Sequence, residues 1–287
     1  MLYILISILS LSGIFVVFKI AEKKNLSVIN IIVVNYIFAA VIGNIQSGQN
    51  PLIMFTQDWF LMAFLIGILF FVSFVIISAS TKLVGLSITT VAAKMSTVIP
   101  IAFSILYFNE HVSTLKILGV LVAVIGVILT VYKKSRSKLV KINIYEIIIP
   151  LLLFIGMGTS DSLMKYTQHN FLNSSNIALF NSSLFYISFI SSFIYVVFTK
   201  KISALFNKNI WLLGALLGLL NFYGVFFFIK ALDSKIFDSS IIFGINNVGI
   251  VSVSVLIGLL IFKEKLFNIN KIGVAISILA IIILSQA

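Results

Sequence analysis

The sequence predicts an all-α integral membrane protein: ten transmembrane helices arranged as two inverted-topology repeats of five. Three observations carry this expectation. The chain is 61% hydrophobic and 10% charged, with a mean hydropathy of +1.20, whereas a soluble domain carries roughly 25% charged residues. So much apolar surface exceeds what a core can hide, and lipid must be its solvent. The apolar residues also come in unbroken runs of about 20, the length that crosses a ~30 Å hydrocarbon layer as a helix, without the alternation of a barrel strand. Finally, polar landmarks recur in the same order in the two halves of the 287 residues.

The first span, 2–20, is expected to be a retained helix. No basic n-region or small-x-small cleavage site marks it as a signal peptide, and Lys19, Lys23 and Lys24 close it. The second, 27–46, ends at the turn-rich Ser-Gly-Gln-Asn-Pro of 47–51. The third, 59–80, enters through Trp59, as an interfacial aromatic does. The fourth and fifth, 85–108 and 113–131, are joined by the turn Asn109-Glu110-His111. A long basic break at 133–143 divides the chain into repeats 1–138 and 139–287. Spans six to ten follow at 147–166, 176–198, 210–230, 239–262 and 269–285.

The net charge of +12 has its origin at the helix ends. Of 20 basic residues, 15 lie at odd-numbered connections and 4 at even-numbered ones, leaving Lys94 alone deep in a span. The positive-inside rule then puts odd loops in the cytoplasm and both termini outside. With no polar domain of basic and aromatic residues, nucleic acid is not an expected partner. The absence of cysteine removes disulfide and thiolate-metal chemistry, and no cofactor or metal is expected.

The repeat is read from landmarks. Asn30 and Asn35 match Asn176 and Asn181 at a shift of 146, Trp59 and Ala79 match Trp211 and Ala231 at 152, and Phe108, Glu110 and Gly119 match Phe262, Glu264 and Gly273 at 154. Five helices per half is an odd number, so the second half enters the membrane upside down, an arrangement typical of secondary transporters with substrate held near the midplane. The Phe-x-Glu followed nine residues later by Gly in both halves, Ser12-Gly13 with Lys19, and Pro100 in the fourth span resemble the EamA-like repeat of the drug/metabolite transporter superfamily. That resemblance implies ten helices around a central cavity and the movement of small metabolites, often export of amino acids. The second copy departs from it: Ser252 to Ser254 stand where the proline would be, so the ninth helix is expected to bend less than the fourth.

Lys94 leads the candidate substrate-binding residues. Thr90, Lys94, Thr97, Ile101 and Ser104 fall on one face of the expected fourth helix, too polar for lipid. A charge at such depth costs roughly 2.5–3.5 kcal/mol on insertion scales. It either meets a substrate carboxylate or phosphate in a wet cavity, or forms a structural pair with Asp161. Asp161 is the only acid well inside a span, and is read as a proton-coupling residue or as an i,i+4 partner of Lys165. Asn246 and Asn247 in the ninth span, and Asn221 with Tyr223 in the eighth, suit hydrogen bonding to a solute or between helices. Glu110 is expected to cap or orient at its turn, and Gly214-x3-Gly218 to let helices approach.

Together with the resemblance, which implies export of small metabolites, these residues lead to the expectation of a secondary transporter of the cytoplasmic (inner) membrane. It would move a small-molecule substrate, an amino acid or other carboxylate-bearing solute, outward by alternating access, with a proton as a possible coupling ion and lipid as its surroundings. The alternatives are efflux of cationic drugs by proton antiport and a non-transporting membrane subunit. An intramembrane enzyme is not expected. His111 and His169 are both in loops, no H-E-x-x-H occurs, and Asp161 lacks an acidic partner in a span.

Overall fold

The computed structural model describes residues 1–110, 112–131, 144–261, 268–284 and 286. Among them the chain forms ten α-helices: α1 (Leu2–Lys23), α2 (Val28–Ser47), α3 (Phe60–Met95), α4 (Val98–Phe108), α5 (Thr114–Val131), α6 (Ile144–Phe171), α7 (Ile177–Phe198), α8 (Lys208–Asp233), α9 (Ser239–Leu260) and α10 (Asn268–Leu284). Two short 3-10 turns, Pro51–Thr56 and Ile202–Phe206, complete the regular structure. Seven helices among the described residues are long and apolar enough to cross a membrane: α1, α2, the Phe60–Ile77 part of α3, α6, α7, α8 and α9. The remaining apolar stretches, Ala92–Phe108, Thr114–Gly126 and Lys271–Leu284, are shorter. The basic break at 133–143 and the second Phe-x-Glu, at 262–264, lie outside the described residues.

One boundary differs from the sequence reading. The break between the third and fourth spans was expected near 81–84. It falls instead at Ser96 and Thr97, so Lys94 stands in the last turn of a 36-residue α3 rather than midway along a single fourth helix. The cause is Pro100. It has no amide hydrogen for the Ser96 carbonyl, and its ring collides with that carbonyl in a continuous helix. Residues 81–84, by contrast, hold no proline or glycine to stop a helix. The carbonyls at the break find other donors. Ser96 Oγ donates to Ala93 O (2.6 Å), Thr97 Oγ1 donates to Lys94 O (2.9 Å), and the Ile99 amide bonds to Ser96 O (3.0 Å). α9, which has serines where α4 has its proline, runs without interruption from Ser239 to Leu260.

The described chain falls into two compact units. Unit 1 contains Met1–Phe71 and Leu163–Ile236, and unit 2 contains Val72–Ser162 and Phe237–Ala287. α3 and α6 pass from one unit to the other within their own length.

In unit 1, α2 packs on α7 and α8, and α1 on α8. Val17 and Ala21 of α1, Ile31 and Val34 of α2, and Leu213 and Leu217 of α8 form its buried core. The closest approach is at Gly214-x3-Gly218. A Cβ on Gly214 would fall 2.5 Å from the Val34 side chain, and one on Gly218 would fall 2.7 Å from the Asn35 carbonyl and from Phe38 Cβ. Small residues at such crossings replace the hydrophobic drive that lipid cannot supply with backbone-to-backbone packing.

In unit 2, α5 lies against α10, α9 packs on both, and α4 on α9. Ala123, Val248, Val251 and Ala280 are the buried centre of this contact. Gly126 brings α5 onto the backbone of Ser277, 2.9 Å from where its Cβ would stand.

Replacing Gly218 with valine must push α2 and α8 apart. We expect a loss of about 1–3 kcal/mol, the usual cost of overpacking, read as a lower Tm in detergent. A surface change such as Leu212→Val, at a position 69% exposed, should leave Tm unmoved.

Candidate functional site

In unit 2 the broken helix presents Lys94 to α9. The last turn of a helix carries the negative end of its dipole, which favours a cation there. Lys94 Nζ reaches Asn247 Oδ1 at 3.5 Å, a long contact, while Asn247 Nδ2 donates to Phe243 O at 3.2 Å and so fixes the amide. Beside them is a cavity of about 30 Å³, bordered by Lys94, Thr97, Ile101, Val120, Gly244 and Asn247 among others. That volume holds one or two water molecules. Asp161 lies close enough for its charge and that of Lys94 to act on each other. No direct ion pair joins the two among the described contacts.

The candidates therefore separate. Lys94, Thr97 and Asn247 border one cavity, and the charge of Asp161 acts on Lys94. Asn246 is buried one residue along α9. The side chain of Thr90 lies outside the described residues. Thr97 does not share an unbroken helical face with Lys94, as the sequence reading had it. The break lies between them, and the Thr97 hydroxyl is spent on the Lys94 carbonyl. Asn221 and Tyr223 belong to unit 1. Asn221 Nδ2 donates to Asn35 Oδ1 (3.2 Å), and Asn181 Nδ2 donates to Phe222 O (3.1 Å), so these amides link α2, α7 and α8. Tyr223 sits in a row of rings, stacked on Phe227 at 6.0 Å, which is stacked in turn on Tyr3 at 5.9 Å.

What holds α9 in place is a charged cap. Glu110, just past α4, accepts from the Ser239 amide (2.8 Å), the Ser240 amide (3.1 Å) and Ser240 Oγ (2.5 Å). A carboxylate here satisfies amides that no helical carbonyl can reach and meets the positive end of the α9 dipole. Lys116, 1% exposed, bonds to Asp238 at 2.5 Å and lies 3.9 Å from Glu110. Glu110 thus caps, as its turn position suggested, though on a helix far away in sequence. Lys116 and Asp238 were missed. Their signal was present: Asp238-Ser239-Ser240 is a helix-start pattern, and Lys116 is a lone charge at the head of an apolar helix.

With seven helices among the described residues long and apolar enough to cross a membrane, the fold is that of a multi-pass membrane protein. Residues 1–132 match the model of the EamA-like transporter family, part of the drug/metabolite transporter superfamily. Members of that family are transporters rather than enzymes. An uncharacterized protein of Haemophilus influenzae is 28% identical over 298 aligned positions, which cover 97% of this chain and 95% of that one. A protein of known crystal structure has the same fold, with a TM-score of 0.75 at 14% identity, covering 99% of this chain and 96% of the other.

Lys116→Met tests the cap. It leaves Asp238 and Glu110 without their cation, and we expect a loss of about 1.5–3 kcal/mol, the range for hydrogen bonds to charged groups. Adding Asp238→Asn should recover part of that loss in a double-mutant cycle.

Proposed function

We propose that the chain is a secondary transporter of the cytoplasmic membrane that exports a small carboxylate-bearing metabolite, such as an amino acid, by alternating access. The observation that carries this reading is the placement of Lys94 at the α3–α4 break, facing Asn247 and a cavity. Irregular backbone at membrane depth is tolerated only where protein buries it or water reaches it, and discontinuous helices form the substrate sites of many carriers. The cavity is too small for a solute, so loading requires α4 and α9 to part.

The inverted repeat is part of the proposal. The packing of α2 on α7, α4 on α9 and α5 on α10 supports it, because each pair joins helices of the same rank in the two halves 1–138 and 139–287. In this reading Lys94 receives the solute carboxylate between Asn247 and Thr97, with Asn246 as an adjoining amide. Thr90, Asn221 and Tyr223 are kept as further solute-binding candidates from the sequence. Asp161 is the counter-charge of Lys94 while the site is empty. A bound carboxylate takes over that role and leaves Asp161 to accept a proton, which couples flux to the pH gradient. The second reading, proton-driven efflux of cations, rests on Asp161 alone and gives Lys94 no role.

Reconstituted in proteoliposomes, Lys94→Ala should reduce exchange of the transported carboxylate to background while the protein stays folded and monodisperse. Undiminished exchange would remove Lys94 from the mechanism. Asp161→Asn should still exchange solute but lose its response to an imposed pH gradient; a normal response would end proton coupling through that residue.

A further inference from the structure

Unit 1 holds a groove that the proposed solute pathway does not use. Ile37 and Val41 of α2 face Phe189 and Phe193 of α7, and Leu205 and Trp211 close one end. The groove has about 290 Å³, and every residue lining it is apolar. Val41, Phe193 and Trp211 are exposed, so it opens to the surface. Trp211 is held in position there. Its indole Nε1 donates to Leu205 O at 2.7 Å, and its ring meets Phe38 edge-on at 6.3 Å.

One end of this groove is basic. The Lys200 and Lys201 amides bond back to the Val197 and Val196 carbonyls, both at 3.0 Å, and Lys200 takes the left-handed φ of 54° that turns the chain at the end of α7. Asn30 Nδ2 donates to the Lys201 carbonyl at 2.9 Å. The lysine pair is thereby tied to the first turn of α2, one turn ahead of groove residues Val33 and Val34. Lys208 opens α8 three residues before Trp211, and Lys24 precedes the Ser27 cap of α2. All four lysines are exposed, and neither 24–30 nor 199–211 contains an acidic residue.

We propose that this groove is a binding site for an anionic phospholipid. One acyl chain lies along Ile37, Val41 and Phe193, and the phosphate sits among Lys200, Lys201 and Lys208. Two features select this occupant. An apolar slot on a membrane-immersed face offers an acyl chain lateral contact that a smooth helix face does not. The lysines stand at one end of the slot only, which matches a molecule with one charged end. A lysine near an anionic lipid surface contributes about 1 kcal/mol, close to five-fold in occupancy. A zwitterionic lipid would gain the slot but not that term. The site is independent of the solute reading.

The two tryptophans make it testable. Trp59 is buried, whereas Trp211 lines the groove and is half exposed. In vesicles that mix plain lipid with phosphatidylglycerol brominated on its acyl chains, we expect tryptophan emission to fall several-fold more steeply with mole fraction than with brominated phosphatidylcholine. W211F should abolish that difference. The exposed triple change K200Q/K201Q/K208Q should bring the phosphatidylglycerol curve down to the phosphatidylcholine curve, with an unchanged melting profile. Equal quenching by the two lipids in the unaltered protein would overturn the proposal. So would a preference that survives either W211F or the triple change.

Discussion

Pro100 withholds one amide hydrogen, and much of unit 2 is arranged around that omission. In hydrocarbon an unpaired carbonyl costs several kcal/mol, so a helix cannot simply stop there. Ser96 supplies its hydroxyl to the Ala93 carbonyl, and Thr97 gives both its hydroxyl and, at 3.4 Å, its amide to the Lys94 carbonyl. The break is therefore satisfied locally, and the residue it leaves at the helix end is Lys94. A lysine at the end of a helix is favoured by the dipole in a way that a lysine midway along one is not. The same event thus ends α3, starts α4 and puts a lysine where the helix dipole favours it.

The cap on α9 is the complement of the break. α9 must stand close enough for Asn247 to meet Lys94, and Glu110 holds its first turn by three hydrogen bonds, with Lys116 between the Glu110 and Asp238 carboxylates. Glu110 follows α4 by two residues, so one short stretch, 96–116, carries the break, the helix beyond it and the anchor of the facing helix. Movement of α4 would pull on the α9 cap, which makes this stretch the mechanical centre of the proposed transport cycle. Unit 1 is held differently, by glycine crossings and asparagine pairs such as Asn35 with Asn221.

Most of the helices were legible in the sequence, because runs of about 20 apolar residues bounded by lysines and turn residues leave the chain few other choices in lipid. The third-to-fourth boundary was not. Residues 81–84 look like a connection because Lys82 interrupts the apolar run, yet one lysine does not stop a helix, and the proline that does lies farther on. Lys94, Asn247 and Thr97 could be singled out as polar residues in apolar runs, and the structure gathers them at one cavity. That the Thr97 hydroxyl donates to the Lys94 carbonyl was not legible, since only the backbone break reveals it. The charge cluster at Glu110 escaped for another reason. Lys116 and Asp238 are 122 residues apart, and nothing local in either stretch names the other.

The central claim is that Lys94 belongs to a water-accessible pathway. The absence of cysteine from the chain allows a direct measurement. A thiol reacts through its thiolate, which forms in water and not in hydrocarbon. Lys94→Cys should be labelled in membranes by a membrane-impermeant methanethiosulfonate, whereas Leu106→Cys, on the outer side of α4 and 79% exposed, should resist it. A Lys94→Cys variant that stays unlabelled until the protein is denatured would contradict the account.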